Sequence, residues 1–80
     1  MDVISLEDLD NWADVDSSMI VGVGTLGDDL LVKFKNGDFY LYVGLSNEYN
    51  SLVSSESVGK YFHADIRNSG AEFSKVEVEE

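Results

Sequence analysis

The sequence contains no cysteine and no proline. Without cysteine, neither a disulfide nor a thiolate metal site can hold a short chain together. Positive charge is scarce: five Lys and Arg stand against sixteen Asp and Glu, a net charge of −11. Such a field repels nucleic acid and favours basic partners, besides keeping the chain in solution. No apolar run approaches the roughly 20 residues that a membrane span needs. Met1-Asp2 opens the chain on an acid, where a signal peptide carries basic residues. The expectation is a cytoplasmic protein with no membrane role.

Catalytic patterns are missing too. The single histidine is His63, and no G-x-S-x-G elbow occurs. Gly22-Val23-Gly24 and Gly27 loosely match a dinucleotide fingerprint, but they lead into a strand and not a helix. Asp28-Asp29 falls in a turn, where such residues are expected. The acids lack an EF-hand pattern. The chain is therefore read as non-enzymatic, with no cofactor and no metal.

What is present is one small domain's worth of core. The chain has 80 residues, 44% of them hydrophobic, with four Phe, four Tyr and one Trp. Its centre is Asp29 to Gly44, where two alternating apolar runs flank Asn36-Gly37. That dipeptide suits a two-residue type I′ turn, which needs positive φ at both positions. The turn predicts that Lys35 faces Asp38, Phe34 faces Phe39, Lys33 faces Tyr40 and Val32 faces Leu41. Alternate residues point to opposite faces. Leu30, Val32, Phe34, Phe39, Leu41 and Val43 then share the core face. Leu31, Lys33, Lys35, Asp38, Tyr40 and Tyr42 share the outer one.

Before this hairpin, Met19 to Thr25 reads as a strand placing Val21, Val23 and Thr25 on the core face, with Val23 facing Val32 and Val21 facing Phe34. Gly22 and Gly24 fall on the outer face, and glycine inside a strand often marks close approach by another group. Earlier still, Ser5 to Asp8 resembles a capping box, and Leu6, Leu9 and Ala13 recur at helical spacing. A short acidic helix is expected over about Leu6 to Ala13, either covering the core or forming an arm. After the hairpin, Ser46 precedes a short helix bearing Tyr49, Leu52 and Val53. A second helix, capped by Ser55 or Ser57, runs to about Arg67 with Val58, Phe62 and Ile66 on one stripe. Lys60, His63 and Arg67 occupy another face, and Asn68-Ser69-Gly70 ends it. Ala71 to Glu80 reads either as an edge strand or as an acidic tail.

Several of these stretches resemble one family. Ser17-Ser18-Met19-Ile20, Val32 to Gly37, Tyr40-Leu41-Tyr42, Gly59-Lys60-Tyr61-Phe62 and Ile66-Arg67, in that order, are similar to the KTSC domain. That domain also occurs at the C-terminus of some lysyl-tRNA synthetases and in stand-alone bacterial and phage proteins. The resemblance covers about Asp16 to Gly70 and implies the fold, with RNA binding as the suggested activity. The acidic N-terminal extension and acidic end depart from it.

The expected fold is α+β: a three-stranded antiparallel β-meander with two helices packed on one face, plus the short N-terminal acidic helix. Residues 1–16 form the acidic extension, 17–70 the KTSC-like domain and 71–80 the tail or edge strand. Function is expected to be that of an interaction module. On one reading it binds a protein with a basic surface through Glu7, Asp8, Asp10, Trp12, Asp14 and Asp16, with Glu77, Glu79 and Glu80 assisting. A phage-encoded regulator of a nucleic-acid-binding protein would fit. On the other it binds RNA or tRNA through Lys33, Lys35, Tyr40, Tyr42, Lys60, His63 and Arg67, bases stacking on the tyrosines.

Overall fold

In the computed structural model, which describes residues 3–79, six strands form one sheet. They are β1 (Val3–Ser5), β2 (Asn11–Asp14), β3 (Ile20–Leu26), β4 (Asp29–Phe34), β5 (Phe39–Tyr42) and β6 (Phe73–Glu79). Their order is β1-β6-β5-β4-β3-β2, curled into a half-barrel. β1 runs parallel to β6, and all other pairs are antiparallel. Two short helices, α1 (Tyr49–Val53) and α2 (Val58–Tyr61), lie between β5 and β6 in sequence. A wider π turn, Phe62–Ile66, continues α2. Among the described residues no helix is long and apolar enough to cross a membrane.

The expected three-stranded meander is therefore corrected to a six-stranded mixed sheet. β3, β4 and β5 form its middle, and both flanking segments add strands to it. The N-terminal helix is absent. Leu6–Asp8 makes one 3₁₀ turn, Leu9 is extended at φ −71° and ψ 137°, and Ser5 makes no side-chain cap. A helix of two turns has little stability of its own. Here it yields to strand pairing that sets Trp12 opposite Gly24. The tail is an interior strand, held between β5 and β1.

The hairpin register also differs from expectation, by one residue. Lys33 pairs with Phe39, Val32 with Tyr40, Leu31 with Leu41 and Leu30 with Tyr42. The cause lies in the turn. Gly37 has φ +97°, and among the described residues no non-glycine residue, Asn36 included, has positive φ, so the type I′ turn cannot form. Instead the loop has three residues. Gly37 N–H donates to the Phe34 carbonyl at 2.9 Å, and Phe34 N–H donates to the Asp38 carbonyl at 2.8 Å. The Asn36 side chain accepts from Asp38 N–H at 3.0 Å. This is a type I turn closed by a glycine bulge.

The slip is tolerated because the sheet is buried on both faces. On one face Ile20, Val23, Leu30, Val32 and Tyr42 of the sheet pack with Leu52, Val58, Phe62 and Ile66 of the helical segments. On the opposite face Ile4, Leu31, Phe39 and Val76 form a second core, flanked by Leu9, Trp12, Leu26, Leu41 and Val78. Register is pinned strongly only where one face is apolar and the other polar. Leu31, read as outward, is fully buried; burying such a side chain is worth about 1.5–3 kcal/mol. The same slip carries Phe39 and Leu41 to the second core, and Tyr40 and Tyr42 to the helix face. Upstream, Val23 faces Val32, but a bulge between Ile20 and Gly22 sets Ile20, not Val21, opposite Phe34.

Gly22 and Gly24 have the close neighbour that glycines in a strand suggest. A Cβ on Gly22 would overlap Trp12 Cζ2 and lie 2.6 Å from Cη2, and one on Gly24 would lie 2.8 Å from Cε3. The two glycines form a trough in which the indole lies.

Candidate functional site

The helix face of the sheet ends in a groove lined by Met19, Phe34, Tyr40, Tyr42, Phe62, Arg67 and Phe73. Its volume is about 360 Å³, and it opens to solvent. Local structure sets each wall. Ser57 caps α2, its hydroxyl accepting from Lys60 N–H at 3.4 Å. The following turns bury Phe62 and Ile66 and leave Arg67 at the rim. Gly70, at φ +80°, ends the helical run. The chain then reverses, and Val43 N–H donates to the Glu72 carbonyl at 2.9 Å. That contact starts β6 so that Phe73 pairs with Tyr42 and Lys75 with Tyr40.

The aromatic rings form a connected set. Phe73 stacks on Tyr42, centroids 5.3 Å apart and planes at 25°, with Tyr40 at 6.1 Å. Phe34 meets Tyr40 edge-on at 5.4 Å and Phe62 at 5.5 Å. Tyr42 meets Phe62 edge-on at 5.6 Å. Each such pair adds about 0.5–1.5 kcal/mol beyond burial, so the floor is rigid. Phe73 is nevertheless 60% exposed, an apolar ring held on a fixed support but left largely open. Burial pushes the Tyr42 phenol above its usual pKa, while the Arg67 charge acts in the opposite direction. Nearby, Tyr61 donates to Glu48 at 2.5 Å, and this bond holds its pKa up.

Of the seven residues expected to contact nucleic acid, the groove brings together Tyr40, Tyr42 and Arg67. Lys60 and His63 line an adjoining cleft of about 440 Å³ with Asp16, Ser17, Ser18, Glu56 and Ser57, and Met19 lines both. Lys35 sits exposed in the hairpin loop, its N–H bonded to the Met19 carbonyl at 2.8 Å. Lys33 is separated from them: its ammonium lies 5.3 Å from the Phe39 ring, on the opposite face. The expected outer floor of Tyr40, Tyr42 and Lys33 does not exist, because the register turns the tyrosines over.

The acids expected to face a protein partner divide as well. Glu7 and Asp8 are exposed on the 3₁₀ turn. Asp10 accepts from Gly27 N–H at 2.8 Å, and Asp14 from the Trp12 indole N–H at 3.2 Å. Both thus serve the fold. Trp12 is half-buried over the two glycines, 6.3 Å from Phe39. Asp16 is exposed in the adjoining cleft, Glu77 and Glu79 are exposed on β6, and Glu80 lies outside the described residues. Among the described residues no group of three or more His, Asp or Glu is placed to hold a metal ion.

Phe73, Met19, Phe34 and Phe62 escaped the sequence reading as groove residues. Phe34 and Phe62 read as core, which they also are. Phe73 stood in a stretch whose strand character was left open.

Comparison with known proteins bears on the chain's identity. No curated protein matches it. A family model, the KTSC domain, matches residues 16–69, which is more than half of the chain. Those bounds take in β3, β4, β5 and both helices, but neither β1, β2 nor β6. They include Tyr40, Tyr42 and Arg67, and leave Phe73 to the segment beyond. On this match, the chain belongs to the KTSC domain family.

Proposed function

We propose that this protein is a non-catalytic interaction module that docks an apolar side chain of a protein partner in the groove beside Arg67. The observation that carries the reading is Phe73, 60% exposed yet stacked firmly on Tyr42. Aromatic rings and arginine, placed around a preformed depression, are the usual anchors of binding energy. A rigid floor lowers the entropy lost on association. The net charge of −11 steers the chain toward partners with basic surfaces. The non-catalytic reading rests on the sequence, which has one histidine, no cysteine and no nucleophile elbow.

RNA binding is the second reading, favoured by one observation. The tyrosines expected to stack bases lie beside Arg67, with Lys35, Lys60 and His63 on adjoining surface. Against it stands local charge: Asp16 and Glu56 share the cleft of Lys60 and His63. Phosphate binding gains from releasing counterions to a cluster of cations, and here the cations are interleaved with acids.

Two measurements separate the readings. The protein and its Phe73→Glu variant are used as baits for cross-linking in extracts. A partner held by the wild type and lost with the variant supports docking at the groove. A partner held equally by both removes the groove from the account. In parallel, short single-stranded RNA is titrated at low salt and backbone shifts are followed. Shifts at Tyr40, Tyr42 and Arg67 that fade as salt rises would put RNA in place of a protein.

A further inference from the structure

The groove differs in charge from the surface around it. The adjoining cleft carries Asp16 and Glu56, and the cleft between the hairpin loop and β6 carries Asp38 and Glu77. Among the described residues the groove's lining has no carboxylate, in a chain with sixteen acids. The one charged residue in its lining among those described is Arg67, exposed at the rim. Among the described residues its guanidinium forms no ion pair, whereas Lys75 is bound to Asp38 at 3.3 Å. The rest of the lining is aromatic rings and Met19. A complementary ligand therefore has an apolar, flat body and one negative charge beside it.

We propose that the groove captures the carboxyl-terminal residue of a partner protein, with an aromatic last side chain against Phe73 and Tyr40 and the α-carboxylate on Arg67. This deepens the groove-docking reading and depends on it. At about 360 Å³ the groove has room for the side chain and carboxylate of one large terminal residue. A terminal residue supplies both required features from one Cα, where an internal site needs two neighbouring side chains. A chain terminus also brings its negative charge to a partner that is basic elsewhere, so local contact and long-range attraction do not conflict. The guanidinium fork matches a carboxylate with two parallel hydrogen bonds.

The test uses acetylated tetrapeptides ending in phenylalanine, titrated into the full chain and followed by NMR. One peptide has a free carboxyl end and a second a C-terminal amide. A third has glutamate before the phenylalanine and an amide end. The free acid is expected to shift Tyr40, Arg67 and Phe73 and to bind about tenfold or more tightly than the amide, because the charge-assisted bonds are lost. Arg67→Gln is expected to erase that difference and Arg67→Lys to keep part of it; since Arg67 is exposed, both variants are expected to fold. Equal binding of acid and amide at the groove would overturn the terminal-carboxylate proposal and leave groove docking standing. Tight binding of the internal-glutamate peptide would overturn the choice of a terminus. Failure of every peptide to shift the groove would overturn the proposal, and groove docking would then stand or fall on the Phe73→Glu cross-linking.

Discussion

The contact between Trp12 and the two glycines of β3 gives the sharpest prediction. Alanine at Gly22 would place a Cβ 2.6 Å from the indole Cη2, and its nearest neighbours are all Trp12 atoms. Alanine at Gly24 would meet the same ring at 2.8 Å and also the Asn11 carbonyl oxygen at 2.7 Å. Overpacking of this kind costs about 1–3 kcal/mol. Opposing it, glycine-to-alanine exchange stabilises by about 0.4–1 kcal/mol through the unfolded chain. Gly22→Ala is therefore expected to lose up to roughly 2.6 kcal/mol, the difference of those terms. In a Trp12→Ala background the clash disappears, and the same substitution is expected to stabilise by about 0.4–1 kcal/mol. Gly24→Ala is expected to stay destabilising there, because a backbone carbonyl in a paired strand cannot swing aside as a side chain can. The assay is urea unfolding followed by circular dichroism, with all four glycine-to-alanine variants compared against their own backgrounds. Since an 80-residue chain has only about 0.05–0.15 kcal/mol of stability per residue, the series belongs at low temperature. If Trp12→Ala rescues neither glycine variant, the indole does not explain why β3 carries glycines; if it rescues both equally, the Asn11 carbonyl is no obstacle at Gly24.

Further expectations concern the groove and the turns. Burial raises the Tyr42 pKa, so this contribution to stability is fully present below the unfolded value near 10 and is lost as pH rises toward the folded value. Tyr42→Phe is expected to flatten the fall of the urea midpoint as pH rises above the unfolded value near 10, and an unchanged slope would contradict it. Gly37→Ala places a side chain at φ +97°; a loss of about 1–2 kcal/mol is expected in urea unfolding, and none would mean the turn had rearranged. Ser57→Ala removes the cap of α2; a loss of about 0.5–2 kcal/mol is expected, with faster amide exchange at Lys60.

Much of the middle of the fold was legible because its signals are local. The strands β3 to β5, the pairing of Val23 with Val32, the cap at Ser57 and the stop at Gly70 follow from alternation, capping and left-handed glycine. The flanks were not legible for a tertiary reason. Nothing within residues 6–13 says strand; the indole finds its place only against Gly22 and Gly24, which lie a hairpin away. β6 is similar, since Phe73 and Val76 gain their neighbours only from β5 and β1.

Between these limits lies the hairpin, where one backbone angle decides what the site is. Asn36-Gly37 is compatible with a two-residue loop or a three-residue loop. The run Leu30-Leu31-Val32 is apolar on both faces and cannot choose between them. Asp38 offers a discriminating signal: its N–H is taken by the Asn36 side chain, a short-range bond suited to a type I turn. With left-handed geometry at Gly37 alone, β5 slips by one residue. Tyr40 and Tyr42 then leave the face of Lys33 and join Arg67 and Phe73. The tyrosines and the arginine were identifiable as residues, but their meeting place depended on the turn. Any functional reading of Tyr-x-Tyr in this chain is thus a reading of Gly37 first.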